Sequence, residues 1–160
     1  SIHRLQTKED ILRALNYDID VINSCIRLLD KYFKNNDTYA VCHRDFTPWN
    51  MFIEKNELFV FDFEYARYQY PQYIDAIHYY SQTSIFEKNL NAEQIWQGFV
   101  NNTISSLFDN PTVFFIAYLM DIISLYVDRE TGEFANDVKK NLDIWYRLAR
   151  IALNNIKNSC

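Results

Sequence analysis

The sequence predicts an α+β domain that is mainly α-helical and carries one small β-hairpin. Apolar residues recur every three or four positions over long stretches of the chain, as they do in amphipathic helices. Two short apolar runs, 51–54 and 58–61, flank the polar residues 55–57, which is the pattern of a hairpin. The chain has 160 residues, of which 49% are hydrophobic, so it can bury the core of a single domain.

One long amphipathic helix is predicted near the start of the chain. Thr7 and Asp10 have the spacing of a capping box, and residues 35–37 (Asn-Asn-Asp) are expected to end the helix. Its apolar positions step by three and four: Ile11, Leu15, Ile19, Ile22, Ile26, Leu29 and Phe33.

The rest of the chain is predicted to contain a further strand at 39–42, an irregular segment at 64–72, and four helices. Asn110 and Pro111 give a clear helix start, because Asn is a good cap and Pro suits the first helical position. The helix that follows is apolar nearly all round, which predicts that it is buried. The four helices are expected at 73–84, 91–107, 112–128 and 135–157.

The net charge, the apolar stretches and the cysteines of the chain indicate which partners and locations are expected. The net charge of −5 argues against nucleic acid as a partner, and it suits either a cationic substrate or ordinary solubility. The longest apolar stretch, 113–127, is interrupted by Asp121 and is too short to span a membrane, so no membrane role is expected. The odd, widely spaced set of Cys25, Cys42 and Cys160 argues against disulfides or zinc and favours a cytoplasmic location.

The hairpin is framed by polar residues that suit phosphoryl transfer. His43, Asp45 and Asn50 form the pattern H-x-D-x-x-x-x-N before it, and Asp62-Phe63-Glu64 follows its second strand. Phosphoryl transfer needs a carboxylate to orient and deprotonate the attacking hydroxyl, and oxygen ligands to hold Mg²⁺ on the nucleotide phosphates. Asp45 suits the first role, and Asn50 and Asp62 suit the second.

This stretch, 39–66, resembles the catalytic centre of the aminoglycoside phosphotransferase and choline kinase-like families, which are relatives of the protein kinases. The resemblance implies that Asp45 is the catalytic base and that Asn50 and Asp62 bind Mg²⁺ together with ATP, or with GTP as the alternative nucleotide. It also implies a structural role for His43, whose ring would brace the loop. The fold implied is the C-terminal lobe of a protein kinase-like enzyme, with a small catalytic β-hairpin.

A second segment extends the resemblance and indicates the acceptor. Residues 71–76 are similar to the family segment in which an Asp opens a helix and accepts hydrogen bonds from the catalytic loop, which gives Asp75 a supporting role. Only about a dozen residues separate Asp62 from Asp75, with no A-P-E-like motif, and Thr47 stands where Ser/Thr kinases usually have Lys. A hydroxyl of a small molecule is therefore favoured: an aminoglycoside, choline, a sugar or an amino alcohol.

The nucleotide-binding half of such an enzyme is not visible in this sequence. The two glycines, Gly98 and Gly132, do not form a Gly-rich loop, and no strand lysine of the V-A-I-K type precedes His43. The expectation is that this chain is the catalytic and substrate lobe of a longer protein, inactive by itself, whose N-terminal lobe completes the ATP cleft.

Two other functions compete with this interpretation. A non-catalytic kinase-like lobe would keep the fold and dock a partner, although the intact Asp45, Asn50 and Asp62 argue against loss of catalysis. A metal hydrolase would use His43, Asp45, Asp62 and His78 as ligands, but it lacks a helical i,i+4 ligand pair. His78 is otherwise expected to be a packed or solvated helix residue.

The acceptor site is the least determined part of the prediction. Arg44 and Arg67 suit either phosphate contacts or ion pairs with carboxylates such as Glu64. Two further groups suit an amine or a quaternary ammonium but also suit solvated charges and core aromatics. These groups are Asp121, Asp128, Glu130 and Glu133, and Tyr118, Tyr126, Trp145 and Tyr146.

Overall fold

The computed structural model describes residues 2–34, 39–127 and 135–158, and the chain divides into two compact units. We call Ser1–Asn36 with Thr112–Cys160 the helical unit, and Asp37–Pro111 the mixed unit. The α-helices are α1 (Glu9–Ala14), α2 (Ile19–Phe33), α3 (Ile74–Gln82), α4 (Ala92–Val100), α5 (Pro111–Val127) and α6 (Ala135–Asn158). The strands are β1 (Tyr39–Cys42), β2 (Met51–Glu54), β3 (Glu57–Val60) and β4 (Arg67–Pro71). The α+β, mainly helical fold class is as predicted.

The prediction of one long first helix is wrong, because the structure has two α-helices there, α1 and α2. A 3₁₀ helix (Ile2–Lys8) leads into α1, which ends before Asn16, a residue in the left-handed conformation with φ of 62°. Asp18 then caps α2 by accepting a hydrogen bond from the backbone N–H of Asp20 (2.9 Å). The predicted capping box is also absent, since α1 begins after Lys8 without a side-chain cap. The end predicted at 35–37 lies outside the described residues.

Helices α5 and α6 form as predicted and supply much of the core. Every side chain of α5 from Val113 to Met120 is buried, which confirms the prediction of a buried helix. On α6, Trp145 is fully buried, and Tyr146 stacks on Tyr17 with ring centroids 4.5 Å apart. Tyr118 is buried as well, so these aromatic side chains are core residues and not an open aromatic box. No helix in the described part of the chain is long and apolar enough to cross a membrane.

The two cysteines of the described residues also belong to the core. Cys25 and Cys42 are buried free thiols. Burial raises the pKa of Cys25 to about 12, with Lys157 acting weakly in the opposite direction, so the thiol stays protonated and unreactive at neutral pH. Both residues act as small apolar side chains, as the sequence predicted.

The described residues of the mixed unit form two separate antiparallel pairs of strands. Strands β2 and β3 form the predicted hairpin, joined by a two-residue turn in which Lys55 and Asn56 have φ of 50° and 66°. Positive φ at both positions is the geometry of a type I′ turn, whose twist matches that of the strands. Glu57, predicted to lie in the turn, pairs with Glu54 and belongs to β3.

The second pair joins β1 to β4, and β4 was not predicted. The segment 64–72 was expected to be irregular, yet Tyr70 pairs with Ala40 across the sheet. The ladder is disturbed by a register shift between Ala40 and Cys42, and Gln69 has a left-handed φ of 59°. These irregularities remove the simple alternation by which a strand is recognised from sequence.

The α-helices of the mixed unit are shorter than predicted, because one is followed by a π-helical turn and the other by a 3₁₀ helix. Helix α3 passes into a π-helical turn (Thr83–Glu87). Helix α4 begins with a capping box formed by Asn91 and Gln94, and a 3₁₀ helix (Thr103–Leu107) follows it. The side chain of Asn102 caps that 3₁₀ helix, which explains why the predicted helix 91–107 is interrupted.

Gly98 is expected to be essential to the packing of α4. A Cβ atom at this position would collide with the Oη atom of Tyr80, which is buried and donates a hydrogen bond to the carbonyl oxygen of Ile95 (2.7 Å). Although Ala favours helices by about 1 kcal/mol over Gly, overpacking costs about 1–3 kcal/mol. Gly98→Ala should therefore lower the free energy of unfolding, measured by urea denaturation.

A double variant isolates this collision. Tyr80→Phe removes Oη, and the nearest remaining ring atom, Cζ, would lie 3.6 Å from the new Cβ, an ordinary contact. In the Tyr80→Phe background, Gly98→Ala should be neutral or stabilising. An equal loss of stability in both backgrounds would show that Tyr80 is not the cause.

Candidate active site

The loop of residues 43–50 is anchored at its start by the first turn of α3. The carboxylate of Asp75 accepts hydrogen bonds from the backbone N–H groups of His43 (2.7 Å) and Arg44 (2.8 Å). Arg44 has a left-handed φ of 67°, a conformation that costs a non-glycine residue about 1–2 kcal/mol. The two charge-assisted hydrogen bonds from this turn offset that strain and fix the direction in which the chain enters the loop.

His43 ties the loop to the end of β3. Its Nε2 atom donates to the carbonyl oxygen of Phe61 (2.9 Å), and its Nδ1 atom accepts from the backbone N–H of Asp45 (3.2 Å). These two contacts fit one tautomer of the neutral ring and engage both ring nitrogens. The side chain is buried and packs against the ring of Phe63, with centroids 4.5 Å apart. The imidazole therefore has no nitrogen left to bind a metal.

Asp45 and Asn50 are brought into direct contact across the loop. The Nδ2 atom of Asn50 donates to Oδ2 of Asp45 (2.8 Å) and to its backbone carbonyl oxygen (3.0 Å). Asn50 is buried, whereas the side chain of Asp45 remains 31% exposed. The carboxylate is thus held in place yet open to a substrate. Because the amide nitrogen of Asn50 binds Asp45, the Oδ1 atom is the part of this amide that suits a metal ligand.

His78 also faces Asp45. From the sequence, these two residues come together only in the alternative metal hydrolase, and His78 is otherwise expected to be a packed or solvated helix residue. Its Nε2 atom lies 3.5 Å from Oδ1 of Asp45, and its side chain is buried. The His78 imidazole that faces the carboxylate is the main reason why the pKa of Asp45 lies below its usual value. Burial acts in the opposite direction, and Asn50 adds to the lowering. The spacing of Asp75 and His78, three residues apart on one helix, is the sequence signal that places both on the same side of α3.

Asp62 lies where the chain leaves β3. The backbone N–H of Phe61 donates a hydrogen bond to the carbonyl oxygen of Asn50 (3.1 Å). Asp62 therefore directly follows a residue that is hydrogen-bonded to the 43–50 loop. Asp62 is exposed and has a left-handed φ of 65°. Its carboxylate and the Oδ1 atom of Asn50 are hard oxygen donors, which Mg²⁺ prefers, so these two residues fit that ion.

A metal held by protein side chains alone does not fit this site. The described residues contain no group of three or more His, Cys, Asp or Glu side chains placed to hold a metal ion. His43, one ligand of the alternative metal hydrolase, has both ring nitrogens engaged. Mg²⁺, in contrast, commonly binds to one or two protein ligands and completes its shell with phosphate oxygens and water.

The two arginines near the loop make local contacts. The guanidinium of Arg44 lies over the ring of Tyr70, 4.8 Å from its centroid, and donates to the carbonyl oxygen of Tyr65 (3.4 Å). Arg67 donates to the carbonyl oxygen of Ala66 (2.8 Å). Of the acidic residues considered for the acceptor, Asp128, Glu130 and Glu133 lie outside the described residues.

Exposed aromatic side chains border the loop. Trp49, which precedes Asn50, is 50% exposed and meets Phe86 edge to face with centroids 6.0 Å apart. Phe86 lies in the π-helical turn after α3 and is 46% exposed. The other two tryptophans, Trp96 and Trp145, are buried. Trp49 is consequently the tryptophan whose fluorescence reports on ligands at this loop.

Comparisons with known proteins agree with this geometry. A family model described as the phosphotransferase enzyme family matches residues 3–95, which include the 43–50 loop, the hairpin and α3. No curated protein and no solved structure matches the chain significantly. The matched region spans more than half of the sequence. The chain therefore belongs to the phosphotransferase enzyme family.

Proposed function

We propose that this chain is the catalytic lobe of an ATP-dependent kinase that phosphorylates a hydroxyl group of a small molecule. The observation that carries the proposal is the Asp45 carboxylate. The Nδ2 atom of Asn50 donates a hydrogen bond to it at 2.8 Å, and the side chain of Asp45 remains partly exposed to solvent. The loop that carries Asp45 is also hydrogen-bonded, through His43, to Phe61, the residue before Asp62. Phosphoryl transfer needs this combination of an accessible base and nearby oxygen ligands.

In the proposed mechanism, Asp45 positions the acceptor and takes its proton. The carboxylate accepts a hydrogen bond from the acceptor hydroxyl, which aims the oxygen at the terminal phosphate, and receives the proton late in the transfer. The Oδ1 atom of Asn50 and the carboxylate of Asp62 would hold Mg²⁺, which neutralises charge on the phosphates when bound. Since the transition state is loose, holding Asp45 in position matters more than raising its basicity.

The hairpin offers a surface for the nucleotide-binding lobe. Phe52 and Phe59 are paired across the strands and stacked, with ring centroids 5.0 Å apart, and both are exposed. Their neighbours Ile53 and Leu58 point to the opposite side and are exposed as well. Exposed apolar residues on both faces of a hairpin are unusual unless another element covers them. We propose that a nucleotide-binding lobe covers them, as in two-lobed kinases.

The acceptor would approach Asp45 beside the exposed rings of Trp49 and Phe86. An aminoglycoside, choline, a sugar or an amino alcohol presents both a hydroxyl and an apolar or cationic surface, which can lie against an aromatic ring. We propose a cytoplasmic location, where ATP is available and the free thiols of Cys25 and Cys42 stay reduced.

Magnesium-dependent nucleotide binding tests the proposal. In the full-length polypeptide, Mg²⁺-ATP should change the fluorescence of Trp49, and Asp62→Asn should weaken its binding by about tenfold or more, because a carboxylate ligand of the ion is lost. Without Mg²⁺, the wild type and Asp62→Asn should bind ATP equally. The substitution Trp49→Phe identifies the source of the signal.

Glu64→Gln is the matched control, since it removes an exposed carboxylate only two residues away. It should leave the affinity for Mg²⁺-ATP nearly unchanged. Equal affinities for Asp62→Asn and the wild type would contradict the role of Asp62. Acceptors are then identified by ATP consumption with a panel of aminoglycosides, choline, sugars and amino alcohols, and an absence of turnover with all of them would contradict the proposed activity.

A further inference from the structure

We propose that His78 is a positioning residue that holds the Asp45 carboxylate in its catalytic orientation. This inference rests on the proposed function and adds a residue to its machinery. Asn50 binds one carboxylate oxygen, Oδ2, at 2.8 Å, and the Nε2 atom of His78 faces the other, Oδ1, at 3.5 Å. A group that faces Oδ1 limits the rotation of the carboxylate about its terminal bond, which the hydrogen bond at Oδ2 alone leaves freer.

The position of His78 on α3 explains why it reaches Asp45. Asp75, in the first turn of this helix, binds the backbone N–H groups of His43 and Arg44. His78 follows three residues later and so projects from the same side of the helix. One helix face therefore fixes both the backbone that enters the loop and the side chain at its centre.

The burial of His78 favours a specific role over a solvated one. Its side chain is only 6% exposed, compared with 31% for Asp45. A buried imidazole requires polar partners for its ring nitrogens, and Asp45 is the carboxylate in contact with Nε2. The next residue, Tyr79, is exposed, and its ring centroid lies 6.1 Å from that of Phe46. On α3, the side chain that faces Asp45 is therefore buried, whereas the neighbouring aromatic side chain is exposed.

Such restraint matters because the acceptor hydroxyl must share the same carboxylate. A carboxylate oxygen can accept more than one hydrogen bond, and Oδ1, which His78 faces at 3.5 Å, has more accepting capacity left than Oδ2, which Asn50 binds at 2.8 Å. We therefore place the acceptor at Oδ1, with His78 defining the direction of its approach. Misplacement of a reacting group by about 1 Å can cost 10²-fold in rate.

The kinetic test compares His78→Leu with His78→Gln. Leu fills the site without a donor, whereas the Gln side chain can present an N–H group where Nε2 stood. His78→Leu should lower kcat by about 10- to 100-fold while leaving KM for ATP unchanged, and His78→Gln should restore much of the loss. In an Asp45→Asn background, His78→Leu should cause no further loss. A kcat equal to that of the wild type would overturn the inference.

A second test needs no activity. Urea unfolding of the wild type, Asp45→Asn, His78→Leu and the double variant forms a double-mutant cycle. If His78 contacts Asp45, the two effects on the unfolding equilibrium constant should deviate from additivity by about fivefold or more. Additive effects would overturn the inference. A wild type with no phosphotransfer activity would instead refute the proposed function, and the unfolding cycle would still decide whether His78 holds Asp45.

Discussion

Replacing Asp45 by Asn is expected to lower kcat by about 10³-fold, the middle of the range attributed to a general base. Asn is isosteric, so its Oδ1 atom can still accept the hydrogen bond that Asn50 donates to the carboxylate at 2.8 Å. What it lacks is the negative charge that attracts the acceptor proton. The low pKa of Asp45, due mainly to His78, means that this charge is present throughout the neutral range in the wild type.

The measurement is steady-state turnover of the full-length polypeptide with Mg²⁺-ATP and an identified acceptor. KM for ATP should remain close to the wild-type value, because the proposed ligands of the ion, Asn50 and Asp62, are unchanged. Glu87→Gln is a suitable control, since it removes an exposed carboxylate next to Phe86 without touching the 43–50 loop. If Asp45→Asn kept wild-type kcat, Asp45 would not be the base, and the phosphotransfer mechanism described above would be wrong.

The parts of the fold that were predicted correctly are those governed by local patterns. The bounds of β1 and β2 match the apolar runs from which they were predicted, and α5 and α6 match to within one residue. In each case a single face or a continuous apolar run determines the element, so neighbouring residues carry the full signal. The 43–50 loop brings Asp45 and Asn50 together because both lie within one short turn of the chain.

The parts that were missed depend on partners distant in the sequence or on backbone conformations that periodicity does not reveal. The apolar spacing continues from Leu15 to Ile19, both buried, although the helix breaks between them at Asn16. Strand β4 pairs with β1, whose residues lie about 30 positions earlier. The spacing of Asp75 and His78 places both on one side of α3, but the contact of His78 with Asp45 depends on how α3 packs against the loop, which the sequence does not show.

Three residues with left-handed backbone conformations lie at or next to the candidate active site. Arg44 precedes Asp45, Asp62 follows the hairpin, and Tyr73, with φ of 62°, precedes the first turn of α3. Such conformations cost free energy in residues other than glycine, and they persist where surrounding contacts hold them. Here they turn the chain so that the 43–50 loop, the end of β3 and the start of α3 meet. Because five further non-glycine residues of the described chain also have left-handed φ, these conformations support the candidate active site only together with the hydrogen bonds that join the loop to α3 and to the end of β3.

Asp75→Ala is expected to combine a loss of stability with a loss of activity. The substitution leaves the backbone N–H groups of His43 and Arg44 without the carboxylate that binds them at 2.7 and 2.8 Å. Hydrogen bonds to a charged group contribute about 1.5–3 kcal/mol each, so the loss of two should lower the free energy of unfolding by about 3–6 kcal/mol. Because Arg44 is then free to leave its left-handed conformation, kcat should fall by about 10²-fold through misplacement of Asp45.

Asp20→Ala separates this effect from that of any first-turn carboxylate. Asp20 lies in the first turn of α2, as Asp75 does in α3, and is exposed. Loss of its interaction with the helix dipole should cost only about 0.3–1 kcal/mol in urea denaturation. Asp75→Asn retains one acceptor oxygen and should fall between the wild type and Asp75→Ala in both stability and kcat. If Asp75→Ala behaved like Asp20→Ala, the hydrogen bonds to the loop would contribute little, and the anchoring of Asp45 would have to come from His43 and Asn50.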